Sequence, residues 1–519
     1  MKIMKFRFFL FAITIIGFVG SGCKKSWLDV NKDPNNITGT ASVSLVFTNA
    51  LAQTVANEVN QNELGSYWGG QWTQSSSYIF SATTFAYQFT NSNFNYFDPI
   101  YDNLEDYQYV INNAAATGQP YFKGPAQVMK AYLFQKLVDL YGDVPFTGAL
   151  KATGNLFPQY EDQKAIYESL IPLLDSAIAN LKANAFASTN TAPDISFAGS
   201  LRAGNKNKWI KFANTVKLRI LMRQSRIANR DAYIVTELKK IVAEGTGFLD
   251  AGQDMAVNPG YVQSTGKQNP LYDTWGYDPA GSKRSLGRYP RPTKFLFDQL
   301  IAANDTFRLK RVAYAKGGEG STSGVSSVAE VTSNYVGVPY GAPSGYTAPS
   351  TSYIGPSVIA KGVYNNPLYL ITAAESQFLL AEAAFRYGSQ VTFAKTAQQY
   401  YEQGVIESFR LLGVPNYADR ANTLLTSGIS ESDWTASADK LKAIWRQKWL
   451  ALVNFGGLEA WTEYRRTNYP NIPLSAGAPA TQPVPVRLYY PNTEVGANSN
   501  TPKQAADVVF KNRLFWDVD

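Results

Sequence analysis

The segment that decides the fold is "KWIKFANTVKLRILMR", residues 208–223. Its apolar side chains recur at the three- and four-residue spacing of an α-helix and form one stripe along it. The stripe consists of Trp209, Phe212, Ala213, Val216 and Ile220. A second segment, "LITAAESQFLLAEAAFRYG" at residues 370–388, repeats this pattern and reaches a helix-terminating glycine at Gly388. Small and large residues alternate on both stripes, which predicts closely packed helix pairs of the tetratricopeptide type.

Helical periodicity dominates the rest of the chain as well, and no run of alternating strand residues competes with it. The helical windows are residues 43–60, 98–116, 124–141, 163–183, 207–228, 231–243, 293–302, 367–387, 391–411 and 439–455. Long irregular stretches lie between them, and loops of such length in a compact domain are usually functional or disordered. These stretches are residues 64–97, 246–292, 315–366 and 470–505. They are rich in aromatic residues, unlike disordered segments. We therefore predict an all-α fold of tetratricopeptide-like helix pairs with long irregular ligand-binding loops.

Composition narrows the classes of function. The 519-residue chain contains no histidine, which excludes Ser-His-Asp and Cys-His catalysis and His-ligated metals. Of its 48 basic residues, three precede residue 23, so the remainder carries 45 basic against 40 acidic residues. This mild excess shows no concentrated basic face of the kind that nucleic-acid-binding proteins carry. We predict a protein that is not an enzyme and uses no cofactor, metal or nucleic acid, although catalysis by carboxylates alone stays open.

The N-terminus has the layout of a lipoprotein signal. Basic residues at positions 2, 5 and 7 precede an apolar run over residues 8–19, three small residues, and then Cys23, the single cysteine. The run is too short to span a bilayer, which needs about 20 apolar residues. A cysteine in this place resembles a bacterial lipobox, where the thiol is lipidated and the chain is cut before it. We predict a signal peptide at 1–22 and one domain at 23–519 that begins with a tether at 23–40. The alternative is a secreted protein with an incidental free thiol.

Two aromatic loop segments are candidate ligand sites. The first is "GSYWGGQWTQSSSYIF", residues 65–80. Flat rings beside amides match the C–H faces and hydroxyl rims of sugars, so we expect the rings to stack and the amides to bind hydroxyls. The expected residues are Trp68, Trp72 and Tyr78 for stacking, and Gln71 and Gln74 for hydrogen bonding. The alternative is that these rings seal the ends of the helices beneath them.

The second candidate is "DTWGYDPAGSKRSLGRYPRP", residues 273–292, with Tyr340 on a further aromatic loop. Arginine forms forked hydrogen bonds with vicinal hydroxyls or a carboxylate, which suits recognition of a sugar. The expected ligand residues here are Asn269, Trp275, Tyr277, Arg288 and Tyr289. The alternative is a loop held together by its own ion pairs.

Charged residues on the predicted helices have a structural interpretation. Residues 206–230 hold eight basic and no acidic residues, which we expect to pair with carboxylates on neighbouring helices. Glu375 and Glu382 stand about 10.5 Å apart along one helix axis, farther than a glycosidase pair. We expect Glu382 to form a helix-surface ion pair with Arg386 instead.

Seven segments, in order behind the lipoprotein signal, resemble the SusD/RagB family of outer-membrane lipoproteins. They are "WLDVNKDPN" at 27–35, the two helical segments at 208–223 and 370–388, "YYEQGVIESF" at 400–409, "IWRQKWLALVNFGGLEAWTEYRRTNYP" at 444–470, "VPVRLYYPNTEVGANSN" at 484–500 and "LFWD" at 514–517. The resemblance implies a lipid-anchored protein at the outer membrane, facing the cell exterior. It also implies a loop-built ligand face seated over a TonB-dependent barrel transporter of the SusC type.

The resemblance leaves the ligand open, since family members bind glycans and some handle peptides. We expect an oligomeric nutrient, with a glycan ahead of a peptide. Two other functions stay open at this point: a carboxylate-based surface glycosidase, and a helical-repeat scaffold of the cell envelope that binds no nutrient.

Overall fold

The computed structural model describes residues 41–75, 80–184, 194–197, 206–316 and 332–518. Residues Val43–Asp519 form one compact unit. The predicted signal peptide, Cys23 and the tether at 23–40 lie outside the described residues. No helix within the described ranges has both the length and the apolar character that a membrane span requires.

Helices make up most of the described chain. They are α1 (Val43–Trp68), α2 (Ala82–Phe85), α3 (Phe97–Asn113), α4 (Lys123–Tyr141), α5 (Gln163–Ala183), α6 (Lys206–Arg223), α7 (Asp231–Glu244), α8 (Pro270–Trp275), α9 (Lys294–Ala302), α10 (Thr306–Val312), α11 (Pro356–Ile359), α12 (Ala373–Tyr387), α13 (Ala397–Leu411), α14 (Tyr417–Leu425), α15 (Lys440–Ala451), α16 (Gly457–Thr467), α17 (Asn492–Ala497) and α18 (Val508–Lys511). Every predicted helical window overlaps one of these helices, which confirms the helical fold.

Two predicted helices begin later than their windows because a capping threonine sets the first turn. Thr372 accepts a hydrogen bond from the backbone N–H of Glu375 at 3.1 Å, so α12 begins after it. Thr396 and Gln399 form a reciprocal capping box at the start of α13. Residues preceding each cap are therefore free to adopt extended or irregular backbone.

The described residues include three small antiparallel sheets, whose strands lie in or directly beside the long loops, and the sequence predicted none of these strands. Their strands are β1 (Trp72–Gln74), β2 (Met255–Val257), β3 (Pro290–Pro292), β4 (Ala313–Tyr314), β5 (Tyr353–Ile354) and β6 (Leu368–Ile371). The pairs are β1 with β3, β2 with β6 and β4 with β5. Strands of two to four residues are too short to show alternation, so the sequence pattern missed them.

Consecutive helices pack as antiparallel hairpins, notably α4 with α5 and α12 with α13. The crossing of α1 and α16 is closer, because glycines remove the side chains from both helices. A Cβ on Gly65 would lie 2.3 Å from the Leu458 backbone, and one on Gly457 would lie 2.1 Å from the carbonyl oxygen of Asn62. The two backbones can therefore touch, and this contact fixes the loop that precedes α16.

A buried cluster of charged side chains joins α6, α12, α15 and α16. The guanidinium of Arg466 donates to Glu382 at 2.7 Å and to Glu463 at 2.8 Å, while Arg223 donates to Glu463 at 2.7 Å. Lys448 lies 3.1 Å from Glu459. Buried charges are tolerated only when they are paired and hydrogen-bonded. The cluster therefore requires all four helices to keep their relative positions.

The cluster corrects one expectation and confirms another. Arg386 does pair with Glu382 at 2.9 Å, but Glu382 is 1% exposed and therefore does not lie on the helix surface. Burial alone raises the pKa of Glu382, but the charge and hydrogen bonds of Arg466 outweigh it and lower that pKa to about 2. Residues of the basic run pair with neighbouring carboxylates as expected. The pairs are Lys217 with Asp175, Arg219 with Glu375, Arg223 with Glu459 and Arg230 with Glu168.

We predict that replacing Arg466 with methionine lowers the free energy of unfolding by about 3–5 kcal/mol, because it leaves buried carboxylates without their main partner. Lys294→Met is the matched control, since it removes an exposed pair with Asp298. The control should cost about 1 kcal/mol or less. Urea denaturation measures both variants, and equal losses would contradict a stabilising role for the cluster.

The stability difference between the wild type and Glu382→Gln should depend on pH. The folded pKa of Glu382, about 2, lies below its ordinary value of 4.5, so its stabilising contribution is complete above about pH 4.5 and is lost as pH falls towards 2. The difference should therefore be about 2 kcal/mol smaller at pH 3 than at pH 7. Denaturation curves at both pH values measure it. A difference that does not change with pH would show that Glu382 is not held as a carboxylate.

Candidate ligand-binding cavity

The tryptophans predicted to stack on a ligand lie in the core. Trp68 is fully buried, donates from Nε1 to the carbonyl oxygen of Thr84 at 2.9 Å, and packs its ring 5.0 Å from that of Trp461. Trp72 is buried too, and its Nε1 donates to Oδ1 of Asn454 at 3.0 Å. Neither ring has a face open to a ligand. Both therefore fit the alternative interpretation, in which these rings seal the ends of the helices beneath them. Tyr78 lies outside the described residues.

Strands β1 and β3 bring the two predicted loop segments together. Gln74 lies opposite Pro290, and its buried Oε1 accepts hydrogen bonds from the Ser81 backbone N–H and the Tyr289 hydroxyl. Tyr289 is half-buried, whereas Arg288 is exposed. Gln71 is buried and donates from Nε2 to the carbonyl oxygen of Trp449 at 2.8 Å. The two segments thus form one surface region, of which Arg288 and Tyr289 are open to solvent.

The remaining predicted aromatic residues are also buried. Trp275 and Tyr277 pack inside the loop that follows α8, and this loop is held together by an ion pair between Arg284 and Asp273. Tyr340 places its hydroxyl 3.3 Å from that of Tyr87. These contacts fit the alternative interpretation, in which the loop is held together by its own ion pairs. They leave no ring face of these residues for a ligand.

Asn269 is the predicted residue that reaches a cavity. It caps α8 by accepting the Tyr272 backbone N–H at 3.0 Å, and its Nδ2 donates to the carbonyl oxygen of Asn366 at 2.7 Å. The cavity beside it measures about 300 Å³, at the lower end of the range for small-molecule sites, about 300–1,000 Å³. Its polar lining comprises Glu58, Asn62, Asn269, Arg311, Ser357, Asn366 and Asn454.

Trp72 shapes this cavity from behind. Its partner Asn454 sits in the turn between α15 and α16 with a φ of 70°, a left-handed conformation that asparagine tolerates better than most residues. The Asn454 amide nitrogen then donates to the carbonyl oxygen of Val312 at 3.1 Å and to the Ser357 hydroxyl at 3.3 Å. The indole N–H therefore holds one wall of the cavity in place without touching its interior.

Two aromatic rings form another wall. Tyr369 of β6 and Phe455 of the α15–α16 turn are both half-buried, and their rings meet edge to face at 5.5 Å. Sequence reasoning missed both residues because they lie inside segments assigned to helix. The available signal was "VNFGG" at 453–457, where an asparagine and two glycines interrupt the helical pattern.

Some polar atoms at the cavity have spare hydrogen-bonding capacity. Asn62 uses Oδ1 to accept the Leu458 backbone N–H at 3.2 Å, and Asn366 uses Nδ2 to contact the carbonyl oxygen of Ser357 at 3.5 Å. Nδ2 of Asn62 and Oδ1 of Asn366 form no hydrogen bond with any residue that the structure describes. One donor and one acceptor, close to two rings, suit a ligand with hydroxyl or amide groups and an apolar face.

Arg311 lies at the mouth of the cavity. Its Nε donates to the carbonyl oxygen of Leu412 at 2.7 Å, and burial lowers the pKa of its guanidinium. Gly413 next to it is exposed and has a φ of 68°; a Cβ there would lie 3.1 Å from Nη2 of Arg311. Gly413 therefore packs closely against this edge of the guanidinium. Across the described ranges, no group of three or more acidic or cysteine side chains is placed to hold a metal ion.

Solved structures share this fold. A SusD homologue from Bacteroides uniformis superposes with a TM-score of 0.69 at 23% identity, covering 92% of this chain and 99% of that one. A SusD homologue from Bacteroides fragilis gives 0.71 at 20% identity, covering 92% and 100%. A chitin-binding SusD homologue from Flavobacterium johnsoniae gives 0.66 at 22% identity, covering 91% and 99%. At these identities the likeness establishes the fold alone.

The family comparison reaches further than the individual structures. No curated protein matches the chain. A SusD-like family model, described as "Starch-binding associating with outer membrane", matches residues 34–491. Because this match spans well over half of the 519 residues, the protein belongs to the SusD-like family.

Proposed function

We propose that this protein captures an oligomeric glycan at the outer membrane and delivers it to a partner TonB-dependent barrel transporter of the SusC type. The observation that carries the proposal is the cavity of about 300 Å³, whose lining includes two aromatic rings and amide atoms that make no hydrogen bond to the described residues. Such an arrangement binds the apolar face and the hydroxyl rim of a sugar together. The family description as starch-binding and the chitin-binding relative agree with a carbohydrate ligand.

Among the described residues, the cavity lining fits a binding role and does not supply the carboxyl pair of a glycosidase. Hydrolysis of a glycosidic bond normally requires two carboxyl groups on either side of it. Glu58 is the one carboxylate among the described residues that line the cavity, and it is engaged by Lys136 at 2.5 Å and by the Tyr132 hydroxyl at 2.7 Å. Glu375 and Glu382 are committed to arginines in the buried cluster. We therefore infer a protein that binds without catalysing a reaction.

The N-terminal sequence supports a location for this function. We propose that Cys23 carries lipid and anchors the chain to the outer membrane, with residues 23–40 as a tether that lets the domain face the cell exterior. An anchor beside the transporter serves this function, because ligand captured far from the transporter would diffuse away. Holding the domain beside the barrel raises the effective concentration of the ligand at the barrel.

We predict that filling the mouth of the cavity with Val363→Phe weakens glycan binding at least about tenfold, since the added ring occupies space that the ligand needs. Calorimetric titration with starch, chitin and pectin oligosaccharides and with mixed peptides measures the effect. Val262→Phe is the matched control, because Val262 is exposed and lies outside the cavity lining. Equal affinity of both variants would show that the ligand binds outside this cavity. Binding of peptides but of no oligosaccharide would show that the ligand is a peptide.

We also predict that Cys23→Ala releases the protein from the membrane fraction of cells that process lipoproteins, because a chain without this thiol cannot be lipidated. Fractionation of cells that express the wild type or the variant measures the anchor. Protease treatment of intact cells reports the face on which the wild type lies. Pull-down of the wild type from detergent extract should recover a barrel transporter. Membrane retention of the variant would exclude the thiol as the anchor.

A further inference from the structure

The asparagine side chains in the cavity lining fall into two groups. Asn269 and Asn454 each use both ends of the amide within the protein, and so hold the walls of the cavity together. Asn62 and Asn366 each use one end. Toward the described part of the chain, one amide donor, Nδ2 of Asn62, and one amide acceptor, Oδ1 of Asn366, therefore stay unpaired at the same cavity.

The partners of these two amides fix which end of each is left over. The backbone N–H of Leu458 can only donate, so it faces the oxygen of Asn62 and leaves the nitrogen for a ligand. The carbonyl oxygen of Ser357 can only accept, so it faces the nitrogen of Asn366 and leaves the oxygen. The cavity thus offers a ligand one group that only donates and one that only accepts.

Most of the remaining lining is apolar. Val358 belongs to α11, Ala360 and Val363 follow it along the chain, and all three line the cavity. Burying a hydroxyl group against such side chains is unfavourable unless it finds a hydrogen-bond partner, whereas burying a methyl group is favourable. The lining therefore suits a ligand group that has an apolar end and few polar atoms beside it.

An acetamido group has these features, because its carbonyl only accepts, its N–H only donates, and it ends in a methyl. We propose that the cavity selects a sugar that carries this group, that is, an N-acetylated amino sugar. Nδ2 of Asn62 donates to the acetamido carbonyl, Oδ1 of Asn366 accepts from the N–H, and the methyl packs among the aliphatic residues. The sugar ring lies beside Tyr369 and Phe455. This inference rests on the proposed function, since it names the class of glycan that the same cavity takes.

A peptide offers the same pair of polar groups but fits the lining less well. A peptide bond continues into the backbone on both sides, and each further N–H and carbonyl would need its own partner in a mostly apolar lining. An acetamido group instead ends in its methyl, and the ring that carries it presents an apolar face to the two aromatic rings.

The test compares sugars that differ in this one group. Chitotriose and cellotriose have the same backbone and linkage, and the acetamido groups of chitotriose replace hydroxyls of cellotriose. N-acetylgalactosamine and galactose form a second pair with a different ring configuration. Calorimetric titration of the purified protein at pH 7 should show at least one acetylated sugar binding about 10–100-fold more tightly than its hydroxyl counterpart.

Asn62→Asp should remove this preference. A carboxylate still accepts the backbone N–H of Leu458 but cannot donate to the acetamido carbonyl, whereas a sugar hydroxyl can donate to the carboxylate instead. The acetylated sugar should therefore bind about tenfold more weakly or worse, and its hydroxyl counterpart about as before. Asn60→Asp is the matched control, since Asn60 is exposed on the same helix and does not line the cavity. Asn366→Leu tests the acceptor in the same way, with the exposed Asn365→Leu as its control. Urea denaturation shows whether each variant is folded.

The outcomes separate this inference from the function on which it rests. A preference for the acetylated sugar that is lost in Asn62→Asp or Asn366→Leu and kept in the controls supports it. A preference that survives in both folded variants, or that is lost equally in the controls, would overturn it. Starch oligosaccharides or cellotriose that bind as tightly as the acetylated sugars, and are blocked by Val363→Phe, would overturn the acetamido group and leave the proposed function intact. Binding of mixed peptides but of no sugar, or of none of these ligands, would overturn the proposed glycan as well.

Discussion

The buried guanidinium of Arg466 is the interaction on which the helical scaffold depends. It is fully buried and contacts Glu382 on α12 and Glu463 on its own helix, while Arg223 of α6 and Lys448 of α15 also reach Glu463. One set of apolar contacts can be exchanged for another at small cost. A buried charge whose partner moves away, in contrast, loses the attraction that offsets its desolvation. The cluster therefore selects one arrangement of these helices among the many that would bury similar apolar area.

A connection runs from this cluster to the cavity. Arg219 of α6 pairs with Glu375 and lies over the Tyr132 ring at 5.0 Å, and the Tyr132 hydroxyl in turn binds Glu58 in the cavity lining. The glycine contact between α1 and α16 adds a second constraint, because it fixes Phe455 and Asn454 in the turn before α16. The cavity is therefore formed by rigid helices on one side and by loop residues that are tied to those helices on the other. A site that is pre-formed in this way loses little conformational entropy when a ligand binds.

The sequence predicted the helices well because each buries one face, so that the period of 3.6 residues is visible in the positions of its apolar residues. It predicted the loop aromatics poorly for a related reason. A tryptophan in a Gly- and Pro-rich stretch carries no period, so the sequence does not tell whether the ring turns toward solvent or toward the core. Trp72 illustrates this, because the partner that draws it inward, Asn454, lies 382 positions away along the chain. The sequence predicted Asn269 because it lies just before the aromatic segment at 273–292. It lines the cavity because it caps α8, whose first turn lies beside the cavity.

The burial of the predicted aromatic residues bears on which groups can form the proposed ligand site. Aromatic residues in or next to the loops, such as Trp68, Trp72 and Trp275, pack into the core, and this packing helps the long irregular segments to keep one conformation. In the proposed function, selectivity rests with the few groups at the cavity that are not used for this purpose: one donor on Asn62, one acceptor on Asn366 and two half-buried rings. Because so few groups are involved, we expect a change at Asn62 or Asn366 to alter which ligand binds while the scaffold stays the same. A family with one fold and many ligands can diverge in this way, since the residues that choose the ligand are separate from those that hold the fold together.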